Sequence, residues 1–315
     1  MRVADYLRLL LLAAIWGASF LFMRIAVPQF GAINTAFLRV LFGFTGLAVI
    51  LLMFKSSFDF KNKFRSSVIL GVINSGLPFL MYCLAAKWLP AGYSAILNAT
   101  TPLMGALIGS LCFAEKLTVR KWAGVLLGLV GITVITTIGE TQSAGRQIVG
   151  VIACLIATGC YGIASFLTRN WISNKGGLDP EIVAFGSQLG ASIFLLPFFI
   201  WSTSTGPAVN WLSQEAWISV LAVGALCTAF AYILYFRLIA DVGPLRSLTV
   251  TFLIPPFGVL WGYLALGETI NNGFIMGSVI IGVAVWMVVS PKKDAGVNSY
   301  RLLPTLKVLF DRLSK

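Results

Sequence analysis

Histidine is absent from this sequence, and only 11 of the 315 residues are Asp or Glu. Without histidine the chain has no His-based metal site and no histidine general base. Its long apolar runs contain neither Asp nor Glu, so they hold no acidic pair and no buried carboxylate proton relay. A Gly-x-Ser-x-Gly motif is also missing. These absences argue against a membrane hydrolase and predict a protein that is not an enzyme and uses no metal or cofactor.

Charge of either sign is scarce, because only 11% of the residues are charged while 58% are hydrophobic. Ten apolar runs of about 20 residues follow one another, from Leu7–Val27 to Gly273–Val289. A helix of that length crosses a hydrocarbon core of about 30 Å. The connections leave no room for a soluble domain, and the first run is a helix rather than a removed signal peptide. The five cysteines lie within the runs, as small packing residues rather than a disulfide framework.

The net charge of +12 would suit nucleic acid, but its distribution argues otherwise. With ten spans, 19 of the 23 Lys and Arg residues share the face that holds both termini, and 3 lie on the other face. This positive-inside bias predicts cytoplasmic termini, in the plasma membrane (the inner membrane of a bacterium), and no nucleic-acid partner. The tail, 291–315, is predicted to lie on the anionic inner leaflet as a basic amphipathic helix.

Two stretches, Ala91–Glu115 and Pro244–Glu268, are copies of one pattern. Their shared residues recur 153 positions apart: Pro102, Gly105, Gly109 and Glu115, then Pro255, Gly258, Gly262 and Glu268. Trp16 and Arg24 recur as Tyr161 and Arg169, so each copy has five spans, and an odd number inverts the second copy. The predicted fold is an all-α membrane protein with ten transmembrane helices as two inverted five-helix repeats. The predicted repeats are 1–138 and 149–290, followed by the tail.

Polar and aromatic residues in the middle of the spans predict where a substrate binds. Mid-span polar groups need a wet or paired environment, and aromatic rings recur at equivalent positions in the two copies. Eight residues form the predicted small-molecule site: Trp16, Ser19, Asn74, Tyr82, Asn98, Tyr161, Tyr235 and Thr251. The alternative for the aromatics is an interfacial belt. Pro102 and Pro255 are predicted to break their helices at similar depth, as gating would require.

The charged residues near the spans allow two interpretations each. Arg39 is either an anion partner for substrate or an arginine that snorkels to the interface, and the sequence does not choose. Glu115 and Glu268 precede the next helix starts, so capping is favoured over proton coupling. The glycines of Gly124-x3-Gly128 and Gly273-x3-Gly277 suit packing on neighbouring helices or on a second protomer of a homodimer.

Three segments resemble the EamA family of the drug/metabolite transporter superfamily. They are WGASFLFMRIA from Trp16, the run LAAKWLPAGYSAILNATTPLMGALIGSLCFAEKLT, and its second-half relative ending in GETI, together with Arg39. The similarity extends to about Pro291. It implies ten helices in inverted five-helix repeats, a central cavity, and export or exchange of small metabolites such as amino acids. The second half departs from the first at Pro256 and Gln188.

A secondary transporter that exports a small organic metabolite by alternating access is the function this sequence favours. A passive channel and a non-transporting sensor or assembly factor are the alternatives. Because no acid lies within a span to balance a cation, we expect a neutral, zwitterionic or aromatic solute held by hydroxyls, amides and ring faces.

Overall fold

The computed structural model describes residues 3–56, 58–113, 117–137, 144–243, 247 and 249–290, and these residues form helices without a β-strand. Glu115 and the predicted tail helix lie outside the described residues. In chain order the helices are α1 (Val3–Phe30), α2 (Ala32–Met53), α3 (Phe64–Ala85), α4a (Ala91–Asn98), α4b (Thr101–Cys112), α5 (Val119–Thr137), α6 (Ala144–Trp171), α7 (Pro180–Thr205), α8 (Gln214–Val242), α9 (Val250–Leu266) and α10 (Asn272–Val289).

Most of these helices are long and apolar enough to cross a bilayer. In the described part of the chain eight qualify by length and composition, and nine if α4a and α4b, bent by 40° at their junction, count as one span. The shorter α9 has 17 residues. It begins directly after a stretch that is only partly described. The multi-pass helical architecture therefore holds, while the count of ten spans and their inversion go beyond these observations.

The helices pack in a pattern that pairs the first half of the chain with the second. α1 packs on α9, and α6 packs on α4b. α2 packs on the middle of α8, and α7 packs on the first part of α3, while α5 and α10 pack on each other. α1 runs antiparallel to α8, because Arg8 near the start of α1 contacts Asp241 at the end of α8, and Phe30 at the end of α1 contacts Trp217 at the start of α8. Each half thus completes its core with helices of the other half.

Glycines allow two of these helix pairs to cross at backbone contact. A Cβ atom on Gly17 of α1 would lie 2.9 Å from the backbone nitrogen of Gly258 in α9. A Cβ atom on Gly162 of α6 would lie 3.1 Å from Cα of Gly105 in α4b. Close approach of this kind is the usual role of small residues in membrane helices. Gly105 and Gly258 occupy equivalent positions in the duplicated stretch, so the two crossings use the same glycine.

Two helices widen locally into a π-helical turn. Residues Val72–Gly76 of α3 and Ala222–Phe230 of α8 have this conformation. π-Helical turns are rare and are frequent at functional sites. Both lie one to two turns before a tyrosine that the sequence assigns to the substrate site, Tyr82 in α3 and Tyr235 in α8.

Candidate functional site

Four aromatic residues of the predicted site form two ring pairs that meet on α1. Trp16 contacts Tyr235, with ring centroids 5.3 Å apart. Tyr82 stacks on Tyr161, with centroids 6.3 Å apart, and Phe20 packs edge-on against Tyr82 at 5.4 Å. Trp16 and Phe20 are four residues apart on α1 and therefore share one face of that helix. The rings of α1, α3, α6 and α8 consequently form one aromatic cluster inside the bundle.

Asn98 connects this cluster to the break between α4a and α4b. The Tyr82 hydroxyl donates to Oδ1 of Asn98 at 2.8 Å. Because Pro102 has no N–H group, the Asn98 carbonyl loses its normal helical donor four residues later. The Thr101 hydroxyl replaces it with a 2.7 Å hydrogen bond, and Thr100 does the same for the carbonyl of Leu97. The break is therefore stabilised by local hydroxyls and lies beside the aromatic cluster.

Pro255 does not produce a matching break. α9 is continuous through Pro255 and Pro256, so the expectation that both halves are broken at equivalent prolines is not met. Residues equivalent to Thr100 and Thr101 are Leu253 and Ile254, whose side chains have no hydroxyl to satisfy a freed carbonyl. The two hydroxyls that stabilise the break in α4 thus have no equivalents at these positions of α9.

The other predicted polar residues, Ser19, Asn74 and Thr251, lie on α1, α3 and α9. Ser19 is buried, and its hydroxyl donates to the carbonyl of Trp16 at 2.6 Å within α1. Asn74 is half-buried in the π-helical turn of α3. Thr251 is half-buried in the first turn of α9. Contacts between side chains join Trp16 to Tyr235, and they join Tyr82 to both Tyr161 and Asn98.

Arg39 lies inside the bundle, next to the aromatic cluster. Its side chain is 6% exposed, which does not fit an arginine that snorkels to the interface. Nη1 donates to the sulfur of Met23 at 3.2 Å, and the guanidinium carbon lies 3.5 Å from the centre of the Phe79 ring. The guanidinium is within electrostatic range of the Tyr82 and Tyr161 hydroxyls. Its positive charge therefore lies inside the bundle, close to Met23 and Phe79.

Glu268 binds helix α4a, which belongs to the other half of the chain. Both carboxylate oxygens accept from the backbone nitrogen of Ala91, at 3.0 and 2.9 Å, where free N–H groups and the helix dipole favour negative charge. Nε of Arg24 lies 3.7 Å from Oε1, and Nη1 of Arg24 donates to the carbonyl of Ala86 at 2.5 Å. The sequence suggests instead that Glu268 caps the helix that follows it. That helix, α10, is capped by Asn271, whose Oδ1 accepts from the nitrogen of Phe274 at 2.7 Å.

Comparison with known proteins identifies the family of this chain. The model of the EamA-like transporter family matches residues 5–137 and again 148–290. The chain belongs to the EamA-like transporter family. It is accordingly a multi-pass membrane protein, and the names of its relatives point to transport rather than catalysis.

Relatives of this EamA-family protein cover most of its length at low identity. It is 23% identical to the uncharacterized transporter YoaV of Bacillus subtilis, over 87% of this chain and 92% of that protein. It is also 23% identical to a probable terminal-alkyne amino-acid exporter of Streptantibioticus cattleyicolor, over 64% of each. A solved structure described as a crystal structure of protein matches with a TM-score of 0.60 at 17% identity. That match covers 92% of this chain and 98% of the other. At that identity the match shows a shared fold.

Several residues near the site of this EamA-family protein were not predicted. Phe20 belongs to the aromatic cluster, and its position one turn after Trp16 was the available signal. Asp5 and Asp241 both contact Arg8, where α1 begins and α8 ends. Neither was predicted, because both lie just beyond the apolar runs, where an acid is not unusual. Gln188 stood out only as the approximate counterpart of Arg39, although its side chain is fully buried.

Proposed function

We propose that this protein is a secondary transporter that moves a small organic metabolite out of the cell by alternating access. The observation that carries the proposal is the aromatic cluster, which lies inside the bundle beside a broken helix. Ring faces with a few polar groups suit a small organic solute. A helix already broken at Asn98–Thr101 offers a point where the bundle can change shape. Membership of the EamA-like transporter family supports transport in general.

We also propose that ten spans form two inverted five-helix repeats, 1–138 and 149–290. Replacing each helix by its equivalent in the other half gives a contact that is also present. The α1–α9 contact corresponds to the α6–α4 contact, and the α2–α8 contact corresponds to the α7–α3 contact. The same exchange converts the Gly17–Gly258 crossing into the Gly162–Gly105 crossing. At 1.5 Å per residue α9 is about 26 Å long, close to the thickness of the hydrocarbon core. Two halves with interchangeable contacts suit a cycle in which each side opens in turn.

For location we propose the plasma membrane with both termini in the cytoplasm. The Lys and Arg bias of the sequence supports this orientation. The lipid bilayer and the transported solute are then the main partners. Gly131 and Gly277 already pack α5 against α10 within one chain. This packing weakens the argument that the glycines of these helices form the interface of a homodimer.

For the substrate we propose an amino acid or a similar solute. The aromatic cluster and Asn98 favour a solute with an apolar part and a polar end. The relative in Streptantibioticus cattleyicolor, named as a probable terminal-alkyne amino-acid exporter, supports the same class. A passive channel would use the same cavity without alternating access, and a sensor would bind the solute without moving it.

Metabolite pools test the function even while the solute is unidentified. We would overexpress the wild-type protein in cells and compare intracellular and medium pools with those of cells producing Asn98→Ala. Tyr263→Ala is the matched control, because Tyr263 is 60% exposed on the lipid-facing surface of α9. We expect one or a few solutes to move to the medium with wild type and Tyr263→Ala but much less with Asn98→Ala. Equal pools in all strains at equal expression would contradict transport.

The mechanism is tested by reconstitution of the purified protein with the solute that the pools identify. A carrier gives saturable flux and counterflow, in which internal unlabelled solute accelerates the entry of labelled solute. Flux that rises linearly with concentration and lacks counterflow would show a passive channel instead. Binding without any flux would show a sensor.

A further inference from the structure

We propose that Arg39 binds the carboxylate of the transported solute and that Gln188 accepts a hydrogen bond from the amino group of the same solute. This inference rests on the transport function proposed above and assigns the polar end of its substrate to two residues. It begins from a charge that the protein buries without balancing it.

No carboxylate in the described part of the chain pairs with Arg39. The salt bridges between described residues join Arg8 to Asp5 and Asp241, and Arg24 to Glu268. Nε of Arg39 is buried and has no hydrogen-bond partner. A buried charge is costly unless it is paired and hydrogen-bonded. The positive charge of Arg39 is therefore unbalanced in this structure, and an anionic group from outside the chain would balance it.

The contacts that Arg39 does make position its side chain without neutralising it. The Phe79 ring lies under the guanidinium carbon at 3.5 Å, and the sulfur of Met23 accepts from Nη1 at 3.2 Å. A ring face attracts a cation but carries no net charge, and a thioether sulfur is a weak acceptor. The planar guanidinium fork matches the two oxygens of a carboxylate. These contacts hold the fork in place and leave the charge available.

Gln188 supplies a second unsatisfied polar group close by. Its side chain is 0% exposed, and Nε2 donates to the Ser75 hydroxyl at 3.1 Å, whereas Oε1 has no partner. An amide oxygen can only accept. It needs a donor such as an ammonium, amine or hydroxyl group.

The two unsatisfied groups lie close enough for one small solute. A Cβ atom on Gly43 would be 3.4 Å from Oε1 of Gln188, and Gly43 follows Arg39 by one turn of α2. One turn is about 5 Å along the axis. An amino acid carries its carboxylate and ammonium on one carbon, so it can reach both groups while its side chain points to the aromatic cluster.

A first experiment needs no ligand. We would purify Arg39→Met and Arg24→Met in detergent and compare their melting temperatures with that of the wild type. Arg24→Met is the matched control, because its guanidinium has protein partners in Ala86 and Glu268. If the charge of Arg39 stays unbalanced until a substrate anion binds, Arg39→Met keeps the melting temperature or raises it by roughly 2–4 °C. Arg24→Met, by contrast, lowers the melting temperature. A lower melting temperature for Arg39→Met would show that the arginine is structural and would overturn the proposal.

A second experiment tests the chemistry of the solute with three probes that share one ring. They are L-phenylalanine, 3-phenylpropionate, which lacks the amino group, and phenethylamine, which lacks the carboxylate. The same set built on leucine covers a smaller side chain. We expect the amino acid to raise the melting temperature most, the acid less, and the amine not at all. Arg39→Met should abolish the response, and Gln188→Leu should reduce the response to the amino acid to that of the acid.

The outcomes separate this inference from the transport function. A response to the amine equal to that of the amino acid, an unchanged response of Arg39→Met, or no response to any carboxylate would overturn the carboxylate site. Equal flux in reconstituted vesicles for solutes with and without the carboxylate would support transport and overturn only the assignment of Arg39 and Gln188. Binding of the carboxylate with no flux in vesicles would leave the site intact and remove the transport function.

Discussion

At the scale of single residues, substitutions that remove the hydrogen bond between Tyr82 and Asn98 can distinguish an effect on transport from an effect on stability. It joins the aromatic cluster to the helix break, yet one hydrogen bond contributes only about 1 kcal/mol net to the free energy of unfolding. Residues whose loss harms transport far more than stability therefore belong to the site rather than to the scaffold.

We predict that Asn98→Ala and Tyr82→Phe reduce export several-fold while costing about 1 kcal/mol of stability. Trp16→Ala and Tyr235→Ala should also reduce export, with a larger loss of stability because a ring is removed. Export assays and detergent melting on the same preparations measure both effects, with Tyr263→Phe as the control. Wild-type export by well-expressed variants at all four positions would place the substrate site elsewhere.

A second prediction at this scale concerns Glu268. Glu268→Gln keeps one oxygen acceptor for Ala91 but removes the negative charge that favours the helix N-terminus and Arg24. We expect a loss of stability of about 0.5–2 kcal/mol, as for helix caps, and lower expression with near-normal transport per molecule. Quantitative blotting with transport per molecule tests this. Normal expression together with complete loss of pH-dependent uptake would show instead that Glu268 couples transport to protons.

At the scale of helices, the break in α4 distinguishes the two halves. Pro102→Ala restores an N–H group that can bond to the Asn98 carbonyl and so straighten α4. We predict a more stable protein, by up to about 3 kcal/mol, that transports more slowly because the break is lost. Pro197→Ala in α7 is the control, since it also adds an N–H group but lies on an exposed face. A stabilised Pro102→Ala protein with wild-type transport would show that the break is not used in the cycle.

The helices also show what the sequence could and could not predict. The proximity of Trp16, Tyr82, Tyr161 and Tyr235 was predictable, because duplication marks equivalent positions and few Trp or Tyr residues lie in the middle of the spans. The continuity of α9 at Pro255 was not, because a proline alone does not decide whether a helix breaks. In α4 the two preceding positions carry hydroxyls that donate to carbonyls at the break, whereas α9 has Leu253 and Ile254 there. The unpaired state of Arg39 depends on which residues of distant helices surround it, and no local pattern contains that information.

At the scale of the whole molecule, the distribution of charge predicts the orientation in the membrane. We predict that both termini face the cytoplasm, since 19 Lys and Arg residues lie on that face and 3 on the other. A green fluorescent protein fused after Lys315 should fluoresce, and an alkaline phosphatase fused there should be inactive. Active phosphatase without fluorescence would contradict either the ten-span count or its orientation.

The packing of α1 has a consequence for how the protein is made. α1 packs mainly against α8 and α9, whose residues follow it by more than 180 positions in the chain. α1 is therefore synthesised well before α8 and α9, and the face that carries Gly17 stays uncovered by them until they are inserted. Contacts so distant in sequence form late and slowly. Until α8 and α9 are inserted, α1 lacks its main packing partners, so we expect the incomplete chain to be more susceptible to degradation than the finished protein.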